Sequence, residues 1–360
     1  MKYQVNLADK DEQFQVEANQ DLISAAKQQG VNMPHGCCNG ECGGCVAKLV
    51  QGEASYQAGY QAKILSQQQR EAGLLVCCMA NAKSDLTLTA ATQARNTPAP
   101  ARLVMRLTDK TQLNSQVYQL TFTPENNRQL TFLPGQFVNI QLVNEQVRSY
   151  SIANAQNCDN SIVLQIKTHP GGLFSDQVRT SLAKGDRLDI ELPLGQFYWR
   201  KELKSPIIMG ATGTGLAPML GMLEEMFADG CRQNVWLYWG CSKAQDLYWH
   251  RQLEAWQQKY ANFHYTPVLS QPDDNWTGAQ GHIHQAMVKE HPTLNDFQVY
   301  LAGSPAMIKK TQQLLTAFGL NQEQLFFDNF HPAQSKTQKT GFIAKLLGRF
   351  NKKKQPVEQL

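Results

Sequence analysis

Residues 35–49, HGCCNGECGGCVAKL, place four cysteines and four glycines in one short run. A packed core does not call for this pattern, and a disulfide would use only two of the thiols. The chain has nine cysteines, and six fall between 37 and 78, at Cys37, Cys38, Cys42, Cys45, Cys77 and Cys78. Cys158, Cys231 and Cys241 are scattered and read as small buried hydrophobes. The opening MKYQVNLADK lacks the apolar core of a signal peptide. No apolar run approaches the roughly 18 residues of a membrane span. A cytoplasmic location follows as the expectation, and there thiols stay reduced.

Cys37, Cys42 and Cys45 obey C-x4-C-x2-C, and Cys77 follows after 31 intervening residues. This is the plant-type spacing for a [2Fe–2S] cluster. Three thiolates from one tight loop need a backbone that can curl, and Gly36, Gly40, Gly43 and Gly44 allow it. A zinc site fits the x4 spacing poorly. A thioredoxin-like pair at Cys42 and Cys45 lacks its βαβ setting. Cys38 and Cys78 read as packing residues, with Cys78 the register rival to Cys77. Around this loop, KYQVNL and FQVEA read as strands, DLISAAKQQG as a helix capped by Asp21 and stopped by Gly30, and SDLTLTA as a closing strand. Residues 1–92 resemble a plant-type ferredoxin domain, which implies a β-grasp fold.

Residues 93–101 read as a linker. From 102 to 202 short strands alternate with turns, the pattern of a small antiparallel barrel. Here RSYS (Arg148, Ser149, Tyr150, Ser151) follows PGQFVNI, and HPGGLFS comes after it. A flavin dinucleotide needs a cation and helix N-terminal amides for its pyrophosphate, and an aromatic and a small hydroxyl near the ring. Arg148 supplies the cation, Tyr150 a surface for the ring, and Ser151 a hydroxyl for its N5. Gly171 and Gly172 allow close approach, and Ser175 offers a phosphate donor. In this order the set resembles the ferredoxin–NADP⁺ reductase superfamily, and the resemblance implies FAD.

From 203 to 332 apolar strands alternate with helices, which implies a parallel sheet. ATGTGLAPML places Gly213, Thr214, Gly215 and Pro218 between a strand and a helix, a turn suited to a pyrophosphate. YLAGSPAM, with Ala302 and Gly303, is similar to the superfamily's C-G-x-P-x-M near the nicotinamide, with Ala302 where the family carries Cys. FFDNFHP resembles its closing strand, so Phe330 is a candidate cover for the flavin. Ser242 and Lys243 are candidates beside the adenosine ribose. A single lysine is thin provision for a 2′-phosphate, so NADH is expected ahead of NADPH. His282 and His284, two apart, could ligate a metal on a strand, but no third ligand is in sight, so they are read as surface or core histidines.

Residues 331–360 carry seven Lys or Arg against Glu358. That tail is +6 within a total of +4, which leaves −2 for the rest and no electrostatic case for nucleic-acid binding. Within the tail (333–360), apolar residues at 342, 343, 346, 347 and 350 share one helical face beside Lys352–Lys354. The segment 341–354 is therefore a candidate for peripheral contact with a membrane, at its inner face, or with a partner.

Over residues 1 to about 332 the chain resembles the single-chain reductases of multicomponent oxygenases, and also the related deoxysugar reductases. The resemblance implies a multidomain α+β and α/β chain, expected as a monomer. It implies that NADH electrons pass through FAD and the [2Fe–2S] cluster to a terminal oxygenase. Three alternatives stay open: a non-oxygenase acceptor such as a deoxysugar dehydratase or a membrane desaturase, a Na⁺-pumping quinone reductase subunit, and an Fe–S redox sensor.

Overall fold

In the computed structural model the described residues are 1–330, apart from 63, 66, 91–97, 127, 144, 145, 157 and 158. Most of the expected linker, Cys158 and the basic amphipathic tail lie outside them.

The first module is built on β1 (Lys2–Leu7), β2 (Glu12–Glu17), α1 (Leu22–Gln28), β3 (Val46–Gln51), β4 (Ala54–Tyr56), α2 (Gln67–Glu71), β5 (Leu74–Val76), β6 (Ala80–Ala82) and β7 (Leu86–Ala90). Val5 and Leu7 alternate with polar residues, and Phe14 and Val16 do the same, so each strand buries one side. The five-stranded sheet runs β2-β1-β7-β3-β5, with β1 and β7 parallel and the other pairs antiparallel. The Asp21 carboxylate accepts from the Ser24 amide at 2.8 Å and caps α1. Gly30 takes φ +71° just past the helix end. The cysteine loop hangs between α1 and β3.

The second module holds β8 (Ala101–Gln112), β9 (Val117–Pro124), β10 (Phe137–Gln141), β11 (Val147–Ser151), β12 (Ile162–Lys167), α3 (Leu173–Thr180) and β13 (Arg187–Leu194). Its antiparallel order is β11-β10-β13-β8-β9-β12, and a bridge between Ile152 and Leu164 joins the two edges into a barrel. Leu107, Leu120, Phe122, Ile140 and Leu164 fill the interior.

The third module contains β14 (Ile207–Thr212), α4 (Leu216–Ala228), β15 (Val235–Cys241), α5 (His250–Lys259), β16 (Phe263–Leu269), β17 (Ala279–Gln280), α6 (Ile283–Glu290), β18 (Gln298–Gly303), α7 (Pro305–Ala317) and β19 (Leu325–Asn329). All its strands are parallel, in the order β17-β16-β15-β14-β18-β19. Both faces are covered, which explains the near-continuous apolar strands. Met209, Trp239 and Tyr300 pack under α4 and α5 on one face, and Ile208, Tyr238 and Leu301 pack under α6 and α7 on the other. The chain works outward from β14 to β17 and then returns to the other side of β14. That reversal is a topological switch point, where open α/β sheets bind ligands.

Of the paired histidines, His282 is exposed and His284 half-buried. His282 is the N-cap of α6, its amide donating to Gln285 Oε1 at 3.0 Å, and His284 lies in the first turn with its ring stacked 5.3 Å away. A capping arrangement has replaced the strand. Among the described residues, no helix is long and apolar enough to cross a membrane.

Phe122 is fully buried in the barrel. Phe122→Ala should cost about 3–5 kcal/mol, seen as an earlier denaturant midpoint for the barrel and a weaker hold on flavin during dialysis.

Candidate functional site

Four sulfurs come together in two pairs, three from the cysteine loop and one from the turn after β5. The Cys37 and Gly44 amides donate to Cys42 Sγ at 3.2 and 3.4 Å. The Cys42 thiol hydrogen-bonds Cys37, which draws the Cys37 thiol down to about 6 despite its burial. In the second pair Cys78 Sγ lies 3.2 Å from Cys45 Sγ, and the Cys78 amide donates to that sulfur at 3.4 Å. Hydrogen bonding to Cys45, together with burial, pushes the Cys78 thiol up. Among the described residues no three His, Cys, Asp or Glu converge as a single-ion site. Two thiol pairs served by amide donors match the chemistry of a two-iron cluster, whose sulfurs carry negative charge and accept N–H bonds.

The expected fourth ligand is Cys77, and its neighbour Cys78 is the cysteine that pairs with Cys45. Cys77 is completely buried in the core of the first module, with its sulfur facing the Leu75 carbonyl at 3.8 Å. β5 ends at Val76 and a tight 3₁₀ turn takes over at Cys77–Met79. That turn sends Cys77 inward and Cys78 towards Cys45. Cys38, expected to pack, is exposed with φ +54°. Cys231 and Cys241 are only partly buried.

Two glycines set how closely the loop folds. A Cβ on Gly36 would stand 2.6 Å from Cys42 Sγ and 3.1 Å from the ring of Phe137 in the barrel. A Cβ on Gly40 would stand 2.5 Å from the Tyr60 ring, whose hydroxyl donates to the Gly40 carbonyl at 2.7 Å.

In the barrel, β10 and β11 form a hairpin in which Phe137 opposes Ser151, Val138 opposes Tyr150 and Asn139 opposes Ser149. The P-G-Q-F stretch fixes its entry. Gln136 is buried, accepts from the Leu133 amide at 2.7 Å and donates to the Gly195 carbonyl at 3.0 Å. The Arg148 guanidinium donates to two neutral oxygens, Val147 O at 2.9 Å and Gln146 Oε1 at 3.2 Å. Tyr150 lies against Phe174 at 5.5 Å, and burial pushes its hydroxyl up to about 12. Gly171 has φ +75° and Gly172 is the N-cap of α3. Ser175, expected as a phosphate donor, has its hydroxyl committed to the loop before α3. It bonds the His169 and Gly172 carbonyls at 3.2 and 3.3 Å and accepts from the His169 amide. The Gly171 amide donates to Asp176 at 3.0 Å.

Gly213–Gly215 form a tight turn after β14, held by the Trp239 indole donating to the Gly213 carbonyl at 2.9 Å. Thr214 is at its centre, and Pro218 lies in the first turn of α4, where its missing N–H costs nothing. A Cβ on Gly215 would run into the Ala302 carbonyl, and one on Gly303 into the Thr212 hydroxyl. The two glycine segments thus meet at the switch point between β14 and β18.

One residue that sequence reasoning missed joins barrel to sheet. Asp328, opposite Ala302 in the β18–β19 register, accepts from the Ser151 hydroxyl at 3.0 Å, and both residues are buried. It lies within FFDNFHP, where only Phe330 was singled out. Phe330 is half-buried, and its amide donates to the Gly303 carbonyl at 2.8 Å.

Three family profiles match the chain in order: a 2Fe-2S iron-sulfur cluster binding domain over residues 5–83, an oxidoreductase FAD-binding domain over 104–199 and an oxidoreductase NAD-binding domain over 209–313. The chain is 31% identical to the CDP-6-deoxy-L-threo-D-glycero-4-hexulose-3-dehydrase reductase of Yersinia pestis, over 89% of this chain and 96% of that one. It is 32% identical to the toluate 1,2-dioxygenase electron transfer component of Pseudomonas putida, over 88% and 94%. Among solved structures it is similar to the Amycolatopsis cytochrome P450 reductase GcoB, with a TM-score of 0.75 and 26% identity over 92% of this chain and 100% of that one.

Gly303 has φ +145° beside Thr212. Gly303→Ala should weaken binding of a nicotinamide dinucleotide about tenfold, equivalent to about 1.4 kcal/mol, as read by titration calorimetry.

Proposed function

Since the chain belongs to the ferredoxin-reductase family of iron–sulfur flavoproteins, we propose that it takes electrons from NADH and passes them singly to a separate acceptor protein. Cys37, Cys42, Cys45 and Cys78 hold the cluster in this reading, and the Arg148–Ser151 strand faces the flavin. When bound, the flavin supplies exchange between two-electron and one-electron chemistry, and the cluster supplies a one-electron carrier.

The chain's own residues divide the remaining work. The amides of Cys37, Gly44 and Cys78 offset negative charge on the sulfurs. Arg148 offers a cation to the flavin pyrophosphate, and Tyr150 offers its ring as a surface for the flavin. Ser151 holds its proton between its own oxygen and Asp328. Gly213, Gly215 and Gly303 let the dinucleotide approach the backbone, and Ala302 leaves room beside it. NADH is placed ahead of NADPH because the loop after β15 carries the Asp246 carboxylate, bonded to the Lys243 amide at 3.0 Å, where a 2′-phosphate would bring like charge.

The observation that carries this reading is contiguity. Gly36, against Cys42, touches Phe137; Phe137 opposes Ser151; and Ser151 bonds Asp328 beside Ala302. In this reading the three sites that exchange electrons meet along the β10–β11 edge of the barrel. The names of the relatives supply the acceptor classes to try, a dioxygenase component and a deoxyhexulose dehydrase. NADH-driven reduction of purified proteins of each class separates them.

The decisive measurement is iron, acid-labile sulfide and visible absorbance in reconstituted protein. Wild type and Cys77→Ser should hold two irons and two sulfides per chain, and Cys78→Ser should lose them. The reverse pattern would return the fourth ligand to Cys77, and zinc in wild type would end the proposal.

A further inference from the structure

A second line of contacts joins the cysteine loop to the flavin strand, and no function has yet been given to it. His35, two residues before Cys37, is buried. Its Nδ1 lies 2.8 Å from the Met33 carbonyl and its Nε2 lies 3.0 Å from Glu191 Oε1 on β13. Each ring nitrogen thus faces an oxygen, and the two contacts fix the orientation of the ring. The other Glu191 oxygen accepts from Asn139 Nδ2 at 3.4 Å, and Asn139 Oδ1 accepts from the Ser149 hydroxyl at 2.7 Å.

The strand register explains the alignment. Asn139 opposes Glu191 on one side and Ser149 on the other, so Glu191, Asn139 and Ser149 form a row across β13, β10 and β11. Phe137 and Ser151 form a parallel row two residues along. The cysteine loop therefore rests on the barrel at two points, Gly36 on Phe137 and His35 on Glu191. Hydrogen bonding to His35 holds the Glu191 carboxyl down at about 2. The His35–Glu191 contact ties the loop to β13 in one register.

Domains of one chain move against each other unless their interface holds them. Electron tunnelling falls exponentially with distance, so a small drift of the loop away from the flavin strand would slow the internal step steeply. We propose that His35, Glu191 and Asn139 are positioning residues that latch the cysteine loop to the flavin strand and thereby set the rate of flavin-to-cluster electron transfer. This rests on the functional reading above.

The test uses full-length, reconstituted wild type, Glu191→Leu, Glu191→Gln and Asn139→Ala. Anaerobic stopped-flow with NADH follows flavin bleaching and cluster reduction as separate phases. Hydrogen exchange on the same proteins without NADH reads loop protection over 35–45. In Glu191→Leu, flavin bleaching should stay within twofold of wild type while the cluster phase slows at least tenfold. Peptides over 35–45 should exchange faster, and those over β1 and β2 should not change. Glu191→Gln, which keeps an acceptor for His35, should recover most of both losses. If Glu191→Leu fails to load its cluster, Asn139→Ala decides: a slowed cluster phase with faster loop exchange supports the latch, and wild-type values for both overturn it. Unchanged cluster phase and exchange in a loaded Glu191→Leu overturn the latch alone. A wild type whose flavin NADH does not bleach overturns the functional reading, and the latch with it.

Discussion

Short range is the constraint behind this architecture. Hydride transfer needs near contact and electron tunnelling weakens steeply with distance, so three binding modules must bring their sites close together. In the function proposed, the edge of the barrel at β10 and β11 is where they meet. The cysteine loop presses on Phe137 from one side, and β19 delivers Asp328 to Ser151 from the other. The first two modules have one hydrophobic core each and the third has one on each face of its sheet, but in the function proposed the chemistry lies in the seams between modules.

Much of this was legible in the chain because the signals are local. Alternation in KYQVNL and apolar runs in IIMGAT and VYLAG define strands by short-range rules. Glycines at Gly215 and Gly303 mark close approach, and Gly213 a positive φ of +54°, where a side chain is disfavoured. The relatives are near 30% identical over most of the chain.

What escaped depended on side-chain direction or on contacts between modules. Adjacent cysteines at 77 and 78 look alike in a spacing rule, and only the onset of the 3₁₀ turn after Val76 separates the inward thiol from the one facing Cys45. Ser175 stands where a phosphate donor would be useful, yet its hydroxyl satisfies the loop before α3. Asp328 and Ser151 are 177 positions apart, and His35 and Glu191 are 156 apart. Such pairs leave no periodic trace in one sequence.

The Phe137 ring sits between two glycines. A Cβ on Gly195 would stand 2.7 Å from it, and one on Gly36 would stand 3.1 Å away. Positions 36, 137 and 195 therefore behave as one shape shared by two modules. A ferredoxin module grafted from another reductase would dock here only if it brought a residue without a side chain at 36, or came with a smaller ring at 137. The fusion looks modular along the chain, but its parts are fitted to each other and not interchangeable.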